Sequence, residues 1–210
     1  MKAIEKERST IEHYSANAES FWEGTKDHDV SQNVEAFLAA LPQNRALNIL
    51  DFGCGPGRDL ATFKSLGHNP VGLDGSAEFC RMAEQYSGCR TLNQNFVDAD
   101  LALGSYDGVF ANASLFHVPK ENLLHVLCHL NQALVDDGIL FMSNPRGSSE
   151  EWLGARYGHY MELEVISSFL TQAGFTVLNH YYRPTDAPPE LQRWLAVVSQ
   201  KSSSPNGVSI

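Results

Sequence analysis

The 210-residue chain contains no apolar run near the roughly 20 residues that would span a bilayer. Its first eight residues, 1–8, carry charges at Lys2, Glu5, Lys6, Glu7 and Arg8 and lack the apolar stretch of a secretory signal. Cysteine is scarce: Cys54, Cys80, Cys89 and Cys128 form no C-x-x-C pair and no disulfide-framework spacing, which points to reduced thiols in a cytoplasmic protein. Basic residues are also few, 15 Lys and Arg against 25 Asp and Glu, for a formal net charge of -10. No basic run interrupts that surplus. Such a surface repels phosphate backbones and anionic lipid, so neither nucleic acid nor membrane is an expected partner. No internal repeat is visible. Residues 202–210 are small and polar, and are expected to form a flexible tail.

What remains is ordinary globular material, 43% hydrophobic and 19% charged, enough for one domain with a sizeable core. From Ala46 onward, short apolar runs alternate with amphipathic stretches. Strands are expected at 46–52, 70–73, 90–92, 106–111 and 139–143, and helices at 58–66, 77–86 and 121–135. The last of these helices carries Leu123, Leu124, Leu127, Leu130 and Leu134 on one face, and Asp137-Gly138 is expected to turn the chain into the next strand. A further helix at 163–173 is closed by Gly174, and 175–182 with 193–199 read as an antiparallel hairpin. This alternation predicts an α/β fold with a mostly parallel seven-stranded sheet and helices on both faces. Ligands of such sheets bind at the carboxyl ends of the strands.

Asp51-Phe52-Gly53-Cys54-Gly55-Pro56-Gly57 ends a strand and opens a helix. Glycines there let backbone approach a ligand closely, and a helix N-terminus favours an anionic group. Asp74 ends the next strand, where a carboxylate can accept two hydrogen bonds from ribose hydroxyls. A dinucleotide site would carry a third glycine where this chain has Arg58, and Asp51 would repel a pyrophosphate while suiting an ammonium group.

On these residues the chain resembles class I S-adenosylmethionine (SAM)-dependent methyltransferases, with their Rossmann-like fold, from about Asn48 to Gln200. The resemblance implies SAM as cofactor. Gly53, Gly55 and Gly57 would line its methionine portion, with Asp51 at the amino group and Arg58 following. Asp74 would hold the ribose beside Gly75, and Asn95 and Phe96 match the adenine loop, where the family usually has Asp at the first position. Asn112-Ala113-Ser114 would lie under the sulfonium.

The N-terminal 45 residues, expected to form a helical lid on a core of 46–201, narrow the likeness further. Tyr14, Phe21-Trp22-Glu23-Gly24-Thr25 and His28-Asp29-Val30-Ser31-Gln32-Asn33 resemble the 5-thiohistidine methyltransferase domain of ovothiol-synthesis enzymes. So do Phe110 through His117, Ser143-Asn144-Pro145-Arg146-Gly147, Arg156-Tyr157-Gly158 and His180-Tyr181-Tyr182-Arg183-Pro184. This likeness implies methyl transfer to the side-chain-proximal (π) imidazole nitrogen of 5-thiohistidine, giving ovothiol A and S-adenosylhomocysteine. In larger members the domain follows a sulfoxide synthase domain, which makes a sulfoxide synthase a candidate functional partner. Two other readings stand beside it: a methyltransferase of another small metabolite or an inorganic anion, and a non-catalytic SAM-binding module.

Individual residues carry alternatives. Gln32 and Asn33 are candidates for orienting the imidazole, although Asp29 and Gln32 also have the spacing of a helix cap. Tyr14 and Trp22 could cover the sulfonium by cation–π attraction or staple the lid down. His117 borders the cofactor or packs in a turn. Arg146, Arg156 and Arg183 compete for one substrate carboxylate. Tyr157, Tyr160, Tyr181 and Tyr182 supply aromatic walls and hydroxyl donors, and strand alternation lets only one of Tyr181 and Tyr182 face the site, with Tyr181 favoured. His125 and His129, four apart opposite a leucine stripe, belong to a solvated helix face, and no metal is expected.

Overall fold

A computed structural model describes residues 2–202, so the expected flexible tail lies, beyond Ser202, outside the described residues. Three helices come first: α1 (Ala3–Ala16), α2 (Ala18–Thr25) and α3 (Ser31–Ala39). The alternating part follows as β1 (Asn48–Phe52), α4 (Arg58–Ser65), β2 (Asn69–Asp74), α5 (Ala77–Ser87), β3 (Thr91–Asn93) and β4 (Tyr106–Asn112). Then come α6 (Leu123–Ala133), β5 (Leu134–Pro145), a small hairpin of β6 (Glu150–Leu153) and β7 (Arg156–His159), α7 (Leu163–Gln172), β8 (Phe175–Arg183) and β9 (Trp194–Lys201).

The seven-stranded sheet runs β3-β2-β1-β4-β5-β9-β8. Its first five strands are parallel, and β9 inserts antiparallel between β5 and β8. The sheet order reverses between β1 and β4, which opens a crevice at their carboxyl ends.

Side-chain alternation assigns each strand residue to one of two cores. Leu50, Phe52, Val109, Ala111, Leu140 and Met142 pack with Leu123, Leu127, Leu130, Ile166 and Leu170 beneath α6 and α7. On the other face Ile49, Phe110, Ile139 and Phe141 meet Phe63 of α4 and Val34, Phe37 and Leu41 of the α3 region. Phe37 is fully buried and reaches the sheet because position 108 is glycine: a Cβ there would lie 2.5 Å from its ring. α3, placed with the lid by sequence, is therefore also a structural layer of the sheet.

Two expectations need correction. The helix expected over 121–135 ends at Ala133, because Leu134 already pairs with Tyr106 as the start of β5. Asp137, in left-handed backbone (φ 60°), bends β5 without ending it, so 137–138 is an irregularity within a strand rather than a turn before one. The hairpin β6–β7 has no counterpart among the expected elements. It docks on α1, where Tyr157 N donates to Thr10 Oγ1 at 3.0 Å and Ser9 Oγ donates to the Ala155 carbonyl at 2.9 Å.

Candidate active site

β1 delivers the chain to the glycine loop at the reversal point. The amides of Gly53 and Cys54 donate back to the Leu73 carbonyl at 2.8 and 3.1 Å, tying the loop to β2. Gly53 (φ 85°) has no room for a side chain, since a Cβ would collide with Ser114. Gly57 (φ 96°) begins α4 and lets it approach α5, where an added Cβ would stand 2.7 Å from Ala83 Cα.

Three carboxylates gather behind this loop. Asp51 is 2% exposed, and its Oδ2 is buried without a hydrogen-bond partner. Burial, and then the neighbouring Asp59, hold its carboxyl well above the usual range, against the pull of Arg58. Asp59 takes the Arg58 guanidinium in a fork, at 2.8 Å from Nε and 3.1 Å from Nη2. Asp74 accepts from the backbone N–H of Ser76 (2.8 Å) and Gly55 (3.1 Å), yet burial still raises it to about 6. One guanidinium serves an excess of acid, so the loop end is a seat for a cation.

Above the loop lies a cleft of about 690 Å³, roofed by α1 and α2 and floored by strand ends. That volume is in the range of small-molecule sites, ~300–1,000 Å³. Of the residues singled out by sequence, Tyr14, Trp22, Asp29, Gly53, Gly55, Arg58, Asp74 and Gly75 line it. Phe96, Asn112, His117, Arg156, Tyr157 and Arg183 do so as well. Phe96 also stacks on Phe52, ring centroids 4.4 Å apart.

His117 and Tyr14 meet at the roof. His117 Nδ1 is 2.6 Å from the Tyr157 carbonyl, and Nε2 is 2.8 Å from the Tyr14 hydroxyl. Burial lowers the imidazole to about 4, so it is neutral at neutral pH. Arg156 Nη1 donates to the Tyr14 oxygen at 3.4 Å, and its buried Nε has no partner. Trp22 packs edge-on against Tyr86 at 4.7 Å.

Other residues singled out by sequence sit elsewhere. Asp51 and Gly57 lie beneath the cleft floor, and Asn95 is exposed beside it. Asn33 is completely buried behind the wall, with its amide donating to Asn112 Oδ1 at 2.9 Å and accepting from the Tyr181 hydroxyl at 2.9 Å. Gln32 is half-buried and, like Tyr181, is not among the lining residues. Asp29 and Gln32 form no capping pair: Val30 is the N-cap of α3, while Asp29 Oδ1 accepts from Ser31 N at 2.9 Å. Arg146 is outside the cleft, spent on Glu162 (3.0 Å), on the Gln192 carbonyl (2.9 Å) and on the Tyr182 ring. The alternation of Tyr181 and Tyr182 is present, Tyr181 against the α3 core and Tyr182 against the opposite one. His125 and His129 lie with ring centroids 4.1 Å apart and planes tilted by 56° on the outer side of α6, and no metal-holding group of three or more His, Cys, Asp or Glu occurs among the described residues.

The cleft also recruits residues not singled out by sequence. Phe79 of α5 and Trp194 of β9 come from separate elements and leave no linear signature, whereas Phe21 and Tyr160, both named from the sequence, also line the cleft. Asp59 could have been found, as an acid directly following the glycine loop and Arg58. Glu7 of α1 lines the cleft, its carboxyl raised by burial.

Comparisons with known proteins bear on the fold and the family. Against curated proteins the sequence finds no match. The Burkholderia thailandensis 1,6-didemethyltoxoflavin-N1-methyltransferase, solved with 1,6-didemethyltoxoflavin and S-adenosylhomocysteine, is similar with a TM-score of 0.79 and 19% identity. The match covers 97% of this chain and 92% of that one. Magnesium protoporphyrin IX methyltransferase from Synechocystis PCC 6803, solved with SAM, gives 0.73 and 18%, over 96% of this chain and 100% of that one. A putative methyltransferase of Haloferax volcanii, in complex with the Trm112 methyltransferase activator, gives 0.74 and 17%, over 96% and 100%. Likeness at such identities speaks to fold, and the fold is that of class I methyltransferases. The family model described as methyltransferase domain matches residues 21–180, from within α2 to within β8, and the chain belongs to that family.

Proposed function

We propose that this methyltransferase uses SAM to methylate the π ring nitrogen of 5-thiohistidine, giving ovothiol A and S-adenosylhomocysteine. The observation that carries the cofactor reading is the buried, unpartnered Oδ2 of Asp51 beside a second buried acid, a seat that an ammonium group would neutralise. Asp74, partly exposed to the cleft at the end of β2, suits ribose hydroxyls, and Phe96 offers a flat wall for adenine. When bound, SAM supplies an already activated methyl group, so the chain has chiefly to fix distance and angle and to exclude water.

The acceptor reading rests on charge. Arg156 and Arg183 line the cleft, and neither forms an ion pair among the described residues, whereas Arg146 is consumed by Glu162. In a chain of net charge -10, unpaired guanidiniums facing a cleft favour an anionic ligand, as the carboxylate of an amino acid would be. The sulfur of 5-thiohistidine is the better nucleophile in water, so the site must fix the ring to direct a nitrogen to the methyl. α1 and α2 act as the lid that shuts water out. A sulfoxide synthase, which would supply the sulfur-bearing precursor, is the proposed functional partner. No described helix is long and apolar enough to cross a membrane.

The test is incubation with SAM and a panel of acceptors that includes 5-thiohistidine, histidine and inorganic anions, with mass spectrometry and NMR of the product. A methyl on the π nitrogen with sulfur untouched is the expected result. Methylation of sulfur alone, or of an unrelated acceptor only, overturns the substrate assignment. Binding of S-adenosylhomocysteine without turnover on any acceptor would favour a non-catalytic module.

A further inference from the structure

Behind the cleft wall, side chains from β8, α3, β4 and α4 form one directed chain of hydrogen bonds. The Tyr181 hydroxyl donates to Asn33 Oδ1 at 2.9 Å, Asn33 Nδ2 donates to Asn112 Oδ1 at 2.9 Å, and Asn112 Nδ2 donates to Asp59 Oδ2 at 3.2 Å. Arg58 closes the far end with its fork on Asp59, and its Nη1 also donates to the Thr25 carbonyl at the end of α2 at 3.1 Å. The direction follows from chemistry. A carboxylate held by a guanidinium can only accept, so Asn112 must turn its NH2 toward Asp59 and its oxygen toward Asn33. Asn33 must then present its NH2 to Asn112 and its oxygen to Tyr181, which has to donate. Burial raises the Tyr181 phenol to about 12, so the donor persists through the working pH range.

Of Tyr181, Asn33 and Asn112, only Asn112 lines the cleft. Asn33 has no exposed surface. We infer that Asp59 sets the direction of the Asn112 amide and that Asn33 and Tyr181 are positioning residues that hold it there through its oxygen, so that the acceptor meets one fixed N–H and one fixed lone pair. An acceptor whose edge carries both a donor and an acceptor, as an azole ring does, is oriented by such a pair. A freely flipping amide would accept either ring orientation. The inference rests on the methyl-transfer reading of the site but not on which azole is the acceptor. It also gives Asn33 a role different from direct contact with the ring.

The experiment is selective labelling of asparagine with 15N, with the Asn112 side-chain signals assigned by their loss in Asn112→Ala. In the wild type the Asn112 Nδ2 protons should exchange slowly and show one set of shifts. Tyr181→Phe, which deletes one oxygen, should move those shifts and speed exchange at least tenfold, and Asn33→Ala should do so more strongly. S-adenosylhomocysteine affinity by calorimetry should stay within twofold in Tyr181→Phe, and kcat/KM for the acceptor should fall about tenfold. Unmoved Asn112 signals in both folded variants overturn the inference, as does a loss of cofactor affinity equal to the loss of turnover. The NMR readout needs no acceptor. A wild type that methylates nothing on the panel therefore defeats the proposed function, while the Asn112 signals still decide whether the amide is locked.

Discussion

The hydroxyl of Tyr14 donates to Nε2 of His117 across 2.8 Å, and the partner on the other ring nitrogen fixes that direction. Nδ1 faces the Tyr157 carbonyl, which can only accept, so Nδ1 carries the proton and Nε2 offers its lone pair. A helix from the N-terminal segment is thereby bonded to the turn after β4, with Arg156 of the hairpin donating to the same hydroxyl. Three distant parts of the chain meet at one phenol.

Stability should therefore depend on pH through His117. Its folded value is about 4 against 6.5 for the free side chain, so between these pH values the unfolded chain binds more protons than the folded one. The contribution is fully present above pH 6.5 and is lost as pH falls toward 4. At ~1.4 kcal/mol per unit it amounts to roughly 3 kcal/mol. Thermal melts of wild type and His117→Gln from pH 4.5 to 7 measure it, and the difference in Tm between them should shrink as pH falls. A difference that does not change with pH contradicts the assignment.

Replacing Asp74 by Ala removes a charged acceptor of two hydrogen bonds, each worth at most ~1.5–3 kcal/mol. S-adenosylhomocysteine affinity should drop at least tenfold while the circular dichroism spectrum is retained. Because the carboxyl titrates at about 6, wild-type affinity should also weaken by about tenfold between pH 7 and pH 5. Calorimetry that finds the variant unimpaired, or NAD bound more tightly than SAM, would remove Asp74 from the cofactor site.

Deleting residues 1–30 should abolish turnover. It removes Tyr14, Phe21 and Trp22 from the cleft and the Thr10 acceptor from the hairpin that carries Arg156. Retained turnover on the small acceptor would show that α1 and α2 are not part of the active site.

Activity is expected to be independent of divalent metal, because a sulfonium methyl needs no Lewis acid to leave. Dialysis against a strong chelator should leave the rate unchanged; a loss restored by added cation speaks against simple displacement.

The alternating strands, the glycine loop and Asp74 were legible because each is written in adjacent residues: a run of apolar side chains, or a turn whose steric demands glycine alone meets. The hairpin β6–β7 was not. Every residue of β6 is exposed, so burial imposes no alternation on it, and its place is set by contacts with α1. Leu134 fits both the helical leucine spacing and the first position of a strand, and only its pairing with Tyr106 decides between them.

The same division runs through the candidate site. Sequence alone named Asn33 of the lid, Asn112, Tyr181 and three arginines as candidate polar groups of the site. It could not tell which of them see the cleft, because that depends on how α3 docks on the sheet and how β8 and β9 turn. Docking buried Asn33 completely, coupled it to Tyr181 and left Asn112 as the amide at the surface of the cavity. It gave Arg146 to Glu162 and left Arg156 and Arg183 facing the cleft. Local chemistry is fixed by residue type and spacing, which the chain carries from synthesis. The partner that each polar group finds is fixed by long-range packing, where burial forces every donor toward the nearest acceptor.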